Sequence, residues 1–153
     1  MYRTRRTGFT LIEVLIVVVI MAVLAGTIIP QFAASTKDAK DSAFRFNLHA
    51  LRSQIEMYKI HHNSTPPTGA NNLEQLTKAT DISGAIGTAG PSYPFGPYVQ
   101  SSVPTNPFTN SNKVTLDTAA SGTPTPTGTS AAGWIYRAST GEIWADHPDY
   151  IGL

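Results

Sequence analysis

The chain has 153 residues and no cysteine, which leaves room for one small globular domain and excludes disulfide bonds and thiol chemistry. Its formal net charge is +1, but three of its 11 basic side chains lie in the first eight residues, so eight basic side chains face ten acidic ones in the remainder. A basic field for binding nucleic acid is therefore not expected.

The N-terminus is basic and leads into a long apolar run. Residues 1–8 include Arg3, Arg5 and Arg6 and no acidic residue, and residues 9–29 are an apolar stretch of 21 residues. A helix of that length spans about 30 Å, the thickness of a bilayer core, whereas a cleavable secretory signal has a shorter apolar core. We expect one membrane-spanning helix, with its N-terminus in the cytoplasm and the rest of the chain exported.

One charged residue, Glu13, lies inside the apolar run. It is the only charge between positions 8 and 36. A lone carboxylate in hydrocarbon is costly, and intramembrane ionisable residues usually have a partner and a function. We therefore expect Glu13 to have a specific partner, and we treat it as the most informative residue of the chain.

The segment around Glu13 closely resembles the processing site of type IV pilins and type II secretion pseudopilins. Its sequence is Gly8-Phe9-Thr10-Leu11-Ile12-Glu13. The resemblance implies that a prepilin peptidase/methyltransferase cuts between Gly8 and Phe9 and that the new Phe9 amine is then methylated. It also implies that Glu13 meets the Phe9 amine of a neighbouring subunit in a helical homo-oligomeric filament. An α-amine is mostly cationic at neutral pH and stays so when methylated, so the two charges can satisfy each other in a low dielectric.

Three small or ring-constrained residues bear on how this helix packs. Ala22 and Gly26 are four residues apart and share one face, where small side chains let helices approach closely in a membrane. Pro30 removes one backbone hydrogen bond and its ring clashes with the Gly26 carbonyl, so residues 26–30 are a predicted helix break. The resemblance implies loosening there when the filament packs. The residues alone are equally consistent with Pro30 marking the exit from the membrane.

An amphipathic pattern follows Pro30. Apolar side chains recur at helical spacing at Phe44, Leu48, Leu51, Ile55 and Tyr58. Residues 31–62 are therefore predicted to form the outer half of one long helix. It should end near His62, with this stripe packed on a globular domain.

Residues 63–153 are predicted to form that globular head. Asn72, with Gln75 at the capping-box position, predicts the N-cap of a short helix that ends near Thr80. Residues 81–112 are rich in glycine, proline, serine and asparagine but carry four aromatic side chains. We expect an ordered loop pinned by those rings.

The C-terminal third carries the strand signals. Residues 113–117 have the composition of a strand, and residues 119–132 are a loop of small residues that we expect to be the most flexible part. Residues 134–137 and 142–145 flank a glycine-containing turn and predict a β-hairpin. The expected fold class is α+β, with a long N-terminal helix packed against a small antiparallel sheet, the pilin fold that the resemblance implies.

Central segments extend the resemblance towards the secretion branch. Residues 67–68, 73–76, 96–99 and 104–108 are similar to the middle of major pseudopilins of type II secretion, so that the resemblance covers roughly residues 8–110. It implies a structural subunit of a periplasmic pseudopilus, first anchored in the inner membrane. Its implied partners are an inner-membrane assembly platform and minor pseudopilins. A type IV pilus subunit or a minor pilin is the alternative.

No cofactor is expected. Major pseudopilins of the secretion branch usually carry a C-terminal loop of clustered carboxylates that binds calcium, but the C-terminal acids here are Asp117, Glu142, Asp146 and Asp149. Calcium takes roughly six to eight oxygen ligands from several groups on one loop. Only Asp146 and Asp149 are close in sequence, so the chain departs from the family and calcium binding is not favoured.

Catalytic motifs do not occur in the sequence. Two of the four histidines, His61 and His62, adjoin and therefore point apart on a helix, and neither a His-Glu-x-x-His nor a Gly-x-Ser-x-Gly pattern is present. The chain is predicted not to be an enzyme, and a membrane-anchored exported hydrolase is the remote alternative. The N-terminus separates the two, since a filament subunit should begin at a methylated Phe9 and an anchored enzyme could keep Met1.

Overall fold

The computed structural model describes residues 8–127 and 131–153. Two helices and five strands lie in these residues, and the fold class is α+β, as predicted. In chain order the elements are α1 (Leu11–His61), α2 (Ala70–Thr77), β1 (Ala79–Thr80), β2 (Ile86–Gly87), β3 (Val114–Leu116), β4 (Trp134–Arg137) and β5 (Glu142–Ala145). Contacts divide the chain into two compact units, Met1–Ala39 and Lys40–Leu153.

The first unit contains the N-terminal part of α1. All of its described side chains are exposed in the single subunit. Among the residues that the structure describes, α1 is the one helix long and apolar enough to cross a membrane. It continues without interruption past Gly26 and Pro30. The predicted break at these residues therefore stays a prediction about the packed filament.

The core of the second unit is built on the amphipathic part of α1. The predicted stripe is buried in full, with no member more than 2% exposed: Phe44, Leu48, Leu51, Ile55 and Tyr58. It forms one cluster with apolar side chains of α2, β4 and β5, among them Leu73, Leu76, Trp134, Tyr136 and Ile143. Phe44 stacks on Trp134 with ring centroids 5.8 Å apart, so the helix and the C-terminal hairpin share one core.

Three strands form the larger sheet, in the order β3-β4-β5. Strands β4 and β5 pair antiparallel, with Trp134 opposite Ala145, which confirms the predicted hairpin. Strand β3 lies where predicted but pairs parallel with β4, with Val114 opposite Trp134, so this sheet is mixed rather than antiparallel throughout. The connection between them, residues 117–133, is long enough for the chain to return to the starting edge of the sheet. Strands β1 and β2 form a separate antiparallel pair.

Helix α2 begins differently from the prediction. Its N-cap is Gly69, which has a left-handed conformation with φ 78°, and the predicted N-cap Asn72 lies inside the helix with φ 63°. The Asn72 side chain points away to the chain that enters β3. Its Nδ2 donates to the Asn112 carbonyl at 3.0 Å, and its Oδ1 accepts from the Val114 amide at 2.5 Å. Tertiary hydrogen bonds thus use the side chain that local capping would have used.

Gln75 does not complete a capping box either. Its Oε1 accepts a hydrogen bond from the Thr68 amide at 2.7 Å, and its Nε2 donates to the Gly84 carbonyl at 2.6 Å. Gln75 therefore joins the segments before and after α2. The helix ends at Thr77 rather than near Thr80, because Thr80 pairs in β1.

The aromatic-rich loop of residues 81–112 is ordered around its rings, as predicted. Phe95 stacks on His61 at the end of α1, with ring centroids 5.0 Å apart. Phe108 stacks on Tyr150 near the C-terminus, with centroids 4.4 Å apart. The rings therefore fix the loop against helix and tail, and a few backbone pairs within the loop, such as Asn106 with Ser111, add to them.

Several predicted boundaries remain predictions. The predicted flexible segment, residues 119–132, includes residues 128–130, which lie outside the described residues. The predicted divisions of the chain after residues 8, 30 and 62 are not tested by the contacts, which instead separate Ala39 from Lys40. Helix α1 ends at His61, within one residue of the predicted end.

Candidate functional site

The residues Gly8 and Phe9, predicted to flank the cleaved bond, precede α1. The Phe9 side chain is 85% exposed, and a Cβ placed on Gly8 would meet no atom within 4 Å. The bond between them is therefore clear of the other described residues in the single subunit. An exposed segment outside regular structure is the kind of substrate that a peptidase can take.

Glu13 has a partner in its own subunit that the sequence analysis missed. Thr10 immediately precedes α1, and Glu13 lies in the first turn. Glu13 Oε2 accepts a hydrogen bond from the Thr10 amide at 2.8 Å and from the Thr10 hydroxyl at 2.7 Å. The Glu13 amide donates to Thr10 Oγ1 at 3.4 Å. This is a capping box, and its Thr-x-x-Glu signature was present in the sequence.

The capping box gives the Glu13 carboxylate hydrogen-bond donors within its own subunit. In the single subunit its partner is a neutral helix cap, and its charge lies at the positive end of the helix dipole. A carboxylate has two oxygens with about four acceptor positions, so two bonds from Thr10 leave room for a further donor. Glu13 is thus satisfied within one subunit and remains able to accept a hydrogen bond from another.

The other predicted assembly residues are not close to Glu13. Gly26 lies 13 positions further along α1, about 20 Å away at 1.5 Å per residue. A Cβ on Gly26 would meet no atom within 4 Å in the single subunit. Thr27 donates to the Val23 carbonyl at 3.2 Å, one turn before Pro30. The structure therefore gives two separate features on α1, a cap with a charge and a segment of small residues before a proline.

The described residues do not assemble a cluster of metal ligands. Within residues 8–127 and 131–153, no three histidine, aspartate or glutamate side chains lie together in a way that could hold a metal ion. Near the C-terminus, His147 Nδ1 and Asp149 Oδ2 are 4.0 Å apart and the Asp149 side chain is 83% exposed. These two side chains form a surface pair.

Comparison with known proteins matches the two parts of the chain to two family models. The prokaryotic N-terminal methylation motif matches residues 3–29, and the family model of type II secretion system protein G matches residues 31–123. The methylation motif thus covers Gly8, Phe9 and Glu13. The second match covers the outer part of α1 and most of the head as far as the loop after β3.

Individual relatives carry the same name. Type II secretion system core protein G of Pseudomonas aeruginosa is 36% identical over 78 residues, 51% of this chain and 54% of that protein. The protein of that name from Vibrio cholerae is 38% identical over 78 residues, 50% of this chain and 53% of its own. The one from Klebsiella pneumoniae is 32% identical over 96 residues, 63% and 65% of the two chains.

The chain thus spans about half the length of the first of these curated relatives. No solved structure matches it significantly. The family model alone, however, covers more than half of the chain, and a methylation motif precedes it on the same apolar helix. The chain therefore belongs to the type II secretion system protein G family.

Proposed function

We propose that this chain is a structural subunit of the pseudopilus of a type II secretion system and has no enzymatic activity. The observation that carries the proposal is the position of Glu13. It is the one charged side chain of residues 8–36, and it accepts hydrogen bonds from Thr10, the residue after Phe9. A cut between Gly8 and Phe9 would create a cationic amine within the same few residues. Family membership and the methylation motif support the same function.

The first step of the proposed pathway is insertion and processing at the inner membrane. The basic residues before Gly8 keep the N-terminus in the cytoplasm, and the head is exported to the periplasm. A prepilin peptidase then removes residues 1–8 and methylates Phe9. The capping box lets α1 stay in the bilayer meanwhile, because it pairs the Glu13 carboxylate with donors of its own subunit.

The second step is assembly through α1. A subunit that leaves the bilayer brings its Phe9 amine to Glu13 of a neighbour, and the charged pair then forms inside a bundle of apolar helices. The described side chains of the first unit, residues 8–39, are uncovered in the single subunit and supply the surface for that bundle. An assembly platform in the inner membrane and minor pseudopilins are the further partners that this pathway requires.

The second unit also has apolar surface left for neighbours. Phe46 and Ile60 on α1 are each 73% exposed, and Met57 is 45% exposed. They lie on the side of the helix away from the buried stripe, since residues 46, 57 and 60 share one face at 100° per residue. Contacts between heads along a filament would cover this face.

The experiment compares filament yield with membrane-bound subunit for four variants. Glu13→Gln and Glu13→Leu remove the charge, Thr10→Val removes the hydroxyl of the cap, and Glu56→Gln is a matched loss of a carboxylate on the exposed side of α1. We expect all four to reach the membrane at wild-type level. Filaments should be nearly absent with either Glu13 variant, reduced with Thr10→Val, and normal with Glu56→Gln.

The comparison of Thr10→Val with Glu13→Gln is the decisive one. If Glu13 only capped its own helix, the defect of Glu13→Gln would be no larger than that of Thr10→Val, because glutamine also accepts from the Thr10 amide in a capping box. Normal filament yield from both Glu13 variants would refute the proposed pairing. Intact-mass analysis provides a second test, since the mature chain should begin at a methylated Phe9 and Gly8→Val should retain Met1. A retraction ATPase encoded beside the gene, in place of a secretion ATPase and a secretin, would point instead to a type IV pilus.

A further inference from the structure

The side chain of Arg137, the last residue of β4, is a buried cation that is only 3% exposed. Its Nε and Nη2 both donate to Asp117 Oδ2, the first at 2.9 Å. Its Nη2 also donates to the Gly122 carbonyl at 2.7 Å, and its Nη1 to Glu142 Oε2 at 3.3 Å. The guanidinium lies 4.8 Å from the centre of the Trp144 ring. One guanidinium therefore joins the chain after β3, the following loop and the start of β5.

The loop after β3, residues 117–127, is held at both of its described ends. At its start, Asp117 Oδ1 accepts from the Ala119 amide at 3.0 Å. That bond, together with the guanidinium, holds the pKa of Asp117 below its usual value. At its far end, the amide and hydroxyl of Thr127 both donate to the Asp146 carboxylate, the amide at 2.6 Å. The guanidinium holds the middle of the loop through a backbone carbonyl.

The residues of this loop do not fit the calcium ion that the family resemblance implies. Calcium takes roughly six to eight oxygens, several of them from carboxylates. The sequence has no aspartate or glutamate between Asp117 and Glu142, and both of these bind the guanidinium. Both oxygens of Asp146 accept from Thr127. A guanidinium stays charged at any physiological pH, so it would repel a divalent cation from the same oxygens.

We propose that Arg137 acts as a built-in cation that closes the loop after β3 in place of a bound metal, so that the head reaches its full stability without calcium. The positive charge belongs to the chain and cannot be removed by a chelator. The planar fork of arginine also suits the site, because it bonds one carboxylate through two nitrogens and still reaches a carbonyl. This proposal concerns the head alone and does not depend on filament assembly.

The first test uses the full-length protein in detergent micelles. Its Tm is measured by tryptophan fluorescence, and amide hydrogen exchange is measured in peptides that cover the loop after β3. Both are recorded in excess calcium and in excess chelator. We expect no difference between the two conditions. A Tm that rises with calcium, or loop amides that calcium protects, would overturn the proposal, and this test needs no variant to fold.

The second test removes the cation. Arg137→Gln should accelerate exchange in the loop by about a hundredfold or more, the order expected when one partner of a buried ion pair is lost. Arg137→Lys keeps the charge but lacks the planar guanidinium, so it should give an intermediate exchange rate. It also replaces Arg137→Gln as the test if that variant fails to fold. Lys113→Gln removes an exposed cation next to β3 and should leave the rate unchanged. Wild-type loop exchange in both Arg137 variants would show that Arg137 does not hold the loop.

Discussion

Asn72 links α2 to β3 through its side-chain hydrogen bonds, and its backbone is left-handed. Replacing it by alanine and by glycine measures separately what the hydrogen bonds and the backbone strain contribute to stability. Asn72→Ala removes the bonds to Asn112 and Val114 and leaves a side chain at φ 63° that favours glycine or asparagine. Each lost bond costs about 1 kcal/mol, and the left-handed conformation costs alanine about 1 kcal/mol more. We expect the free energy of unfolding to fall by about 3 kcal/mol for Asn72→Ala and by about 2 kcal/mol for Asn72→Gly, whose backbone is relaxed.

Thermal unfolding followed by tryptophan fluorescence measures this loss, because Trp134 is fully buried in the same unit. At about 4 °C per kcal/mol for a unit of this size, the Tm should fall by about 12 °C for Asn72→Ala and about 8 °C for Asn72→Gly. Asn71→Ala is the matched control, since Asn71 also has positive φ but donates to the exposed side chain of Glu74. An exposed bond of this kind contributes little, so the variant should lose about 4 °C from backbone strain alone. A Tm for Asn72→Ala within about 2 °C of wild type, or a larger fall for glycine than for alanine, would refute this reasoning.

Two further predictions concern the head. Tyr136→Phe removes a buried hydroxyl that donates to the Pro67 carbonyl at 2.7 Å, so the free energy of unfolding should fall by about 1–2 kcal/mol; an unchanged Tm would contradict it. The Ser83 hydroxyl and the Ala85 amide hold the pKa of Asp81 below its usual value. Its stabilising contribution is therefore complete above the unfolded pKa of about 3.9 and is lost as pH falls through the lower folded pKa. Asp81→Asn should flatten the plot of Tm against pH in this acidic range, and a profile that parallels wild type there would count against the assignment.

Periodic patterns in the sequence correctly predicted those helices and strands that bury one face in the core. The stripe from Phe44 to Tyr58 and the hairpin around Gly141 were both located correctly, because their spacing reports directly which side chains face the core. The direction of β3 was not predicted, since it depends on a long connection that has no periodic pattern. Asn72 was misassigned because its partners lie about forty residues away in the chain.

In the candidate site and the head, features formed by neighbouring residues could likewise be predicted, whereas contacts between distant residues could not. Gly8, Phe9 and Glu13 could be proposed from the sequence because their types and spacing form a short motif, and the methylation motif matches the segment that contains them. The capping box of Thr10 is also a short local pattern, Thr-x-x-Glu, and it lies within the same motif. The ion pair of Arg137 with Asp117 could not be predicted, because it requires the parallel pairing of β3 with β4.

The shared core of α1 and the C-terminal hairpin has a consequence for biosynthesis. Phe44 packs on Trp134, 90 positions later in the chain, so this part of the α1 stripe lacks its partner until the last strands have been made. At about 5–20 residues per second, the ribosome needs roughly 5–20 s to bridge that interval. During this time the nascent chain presents an amphipathic helix without its partner, and contacts of such long sequence separation also form slowly. Chaperone protection of the emerging helix should therefore matter more for the yield of this protein than for one whose core is made from neighbouring segments.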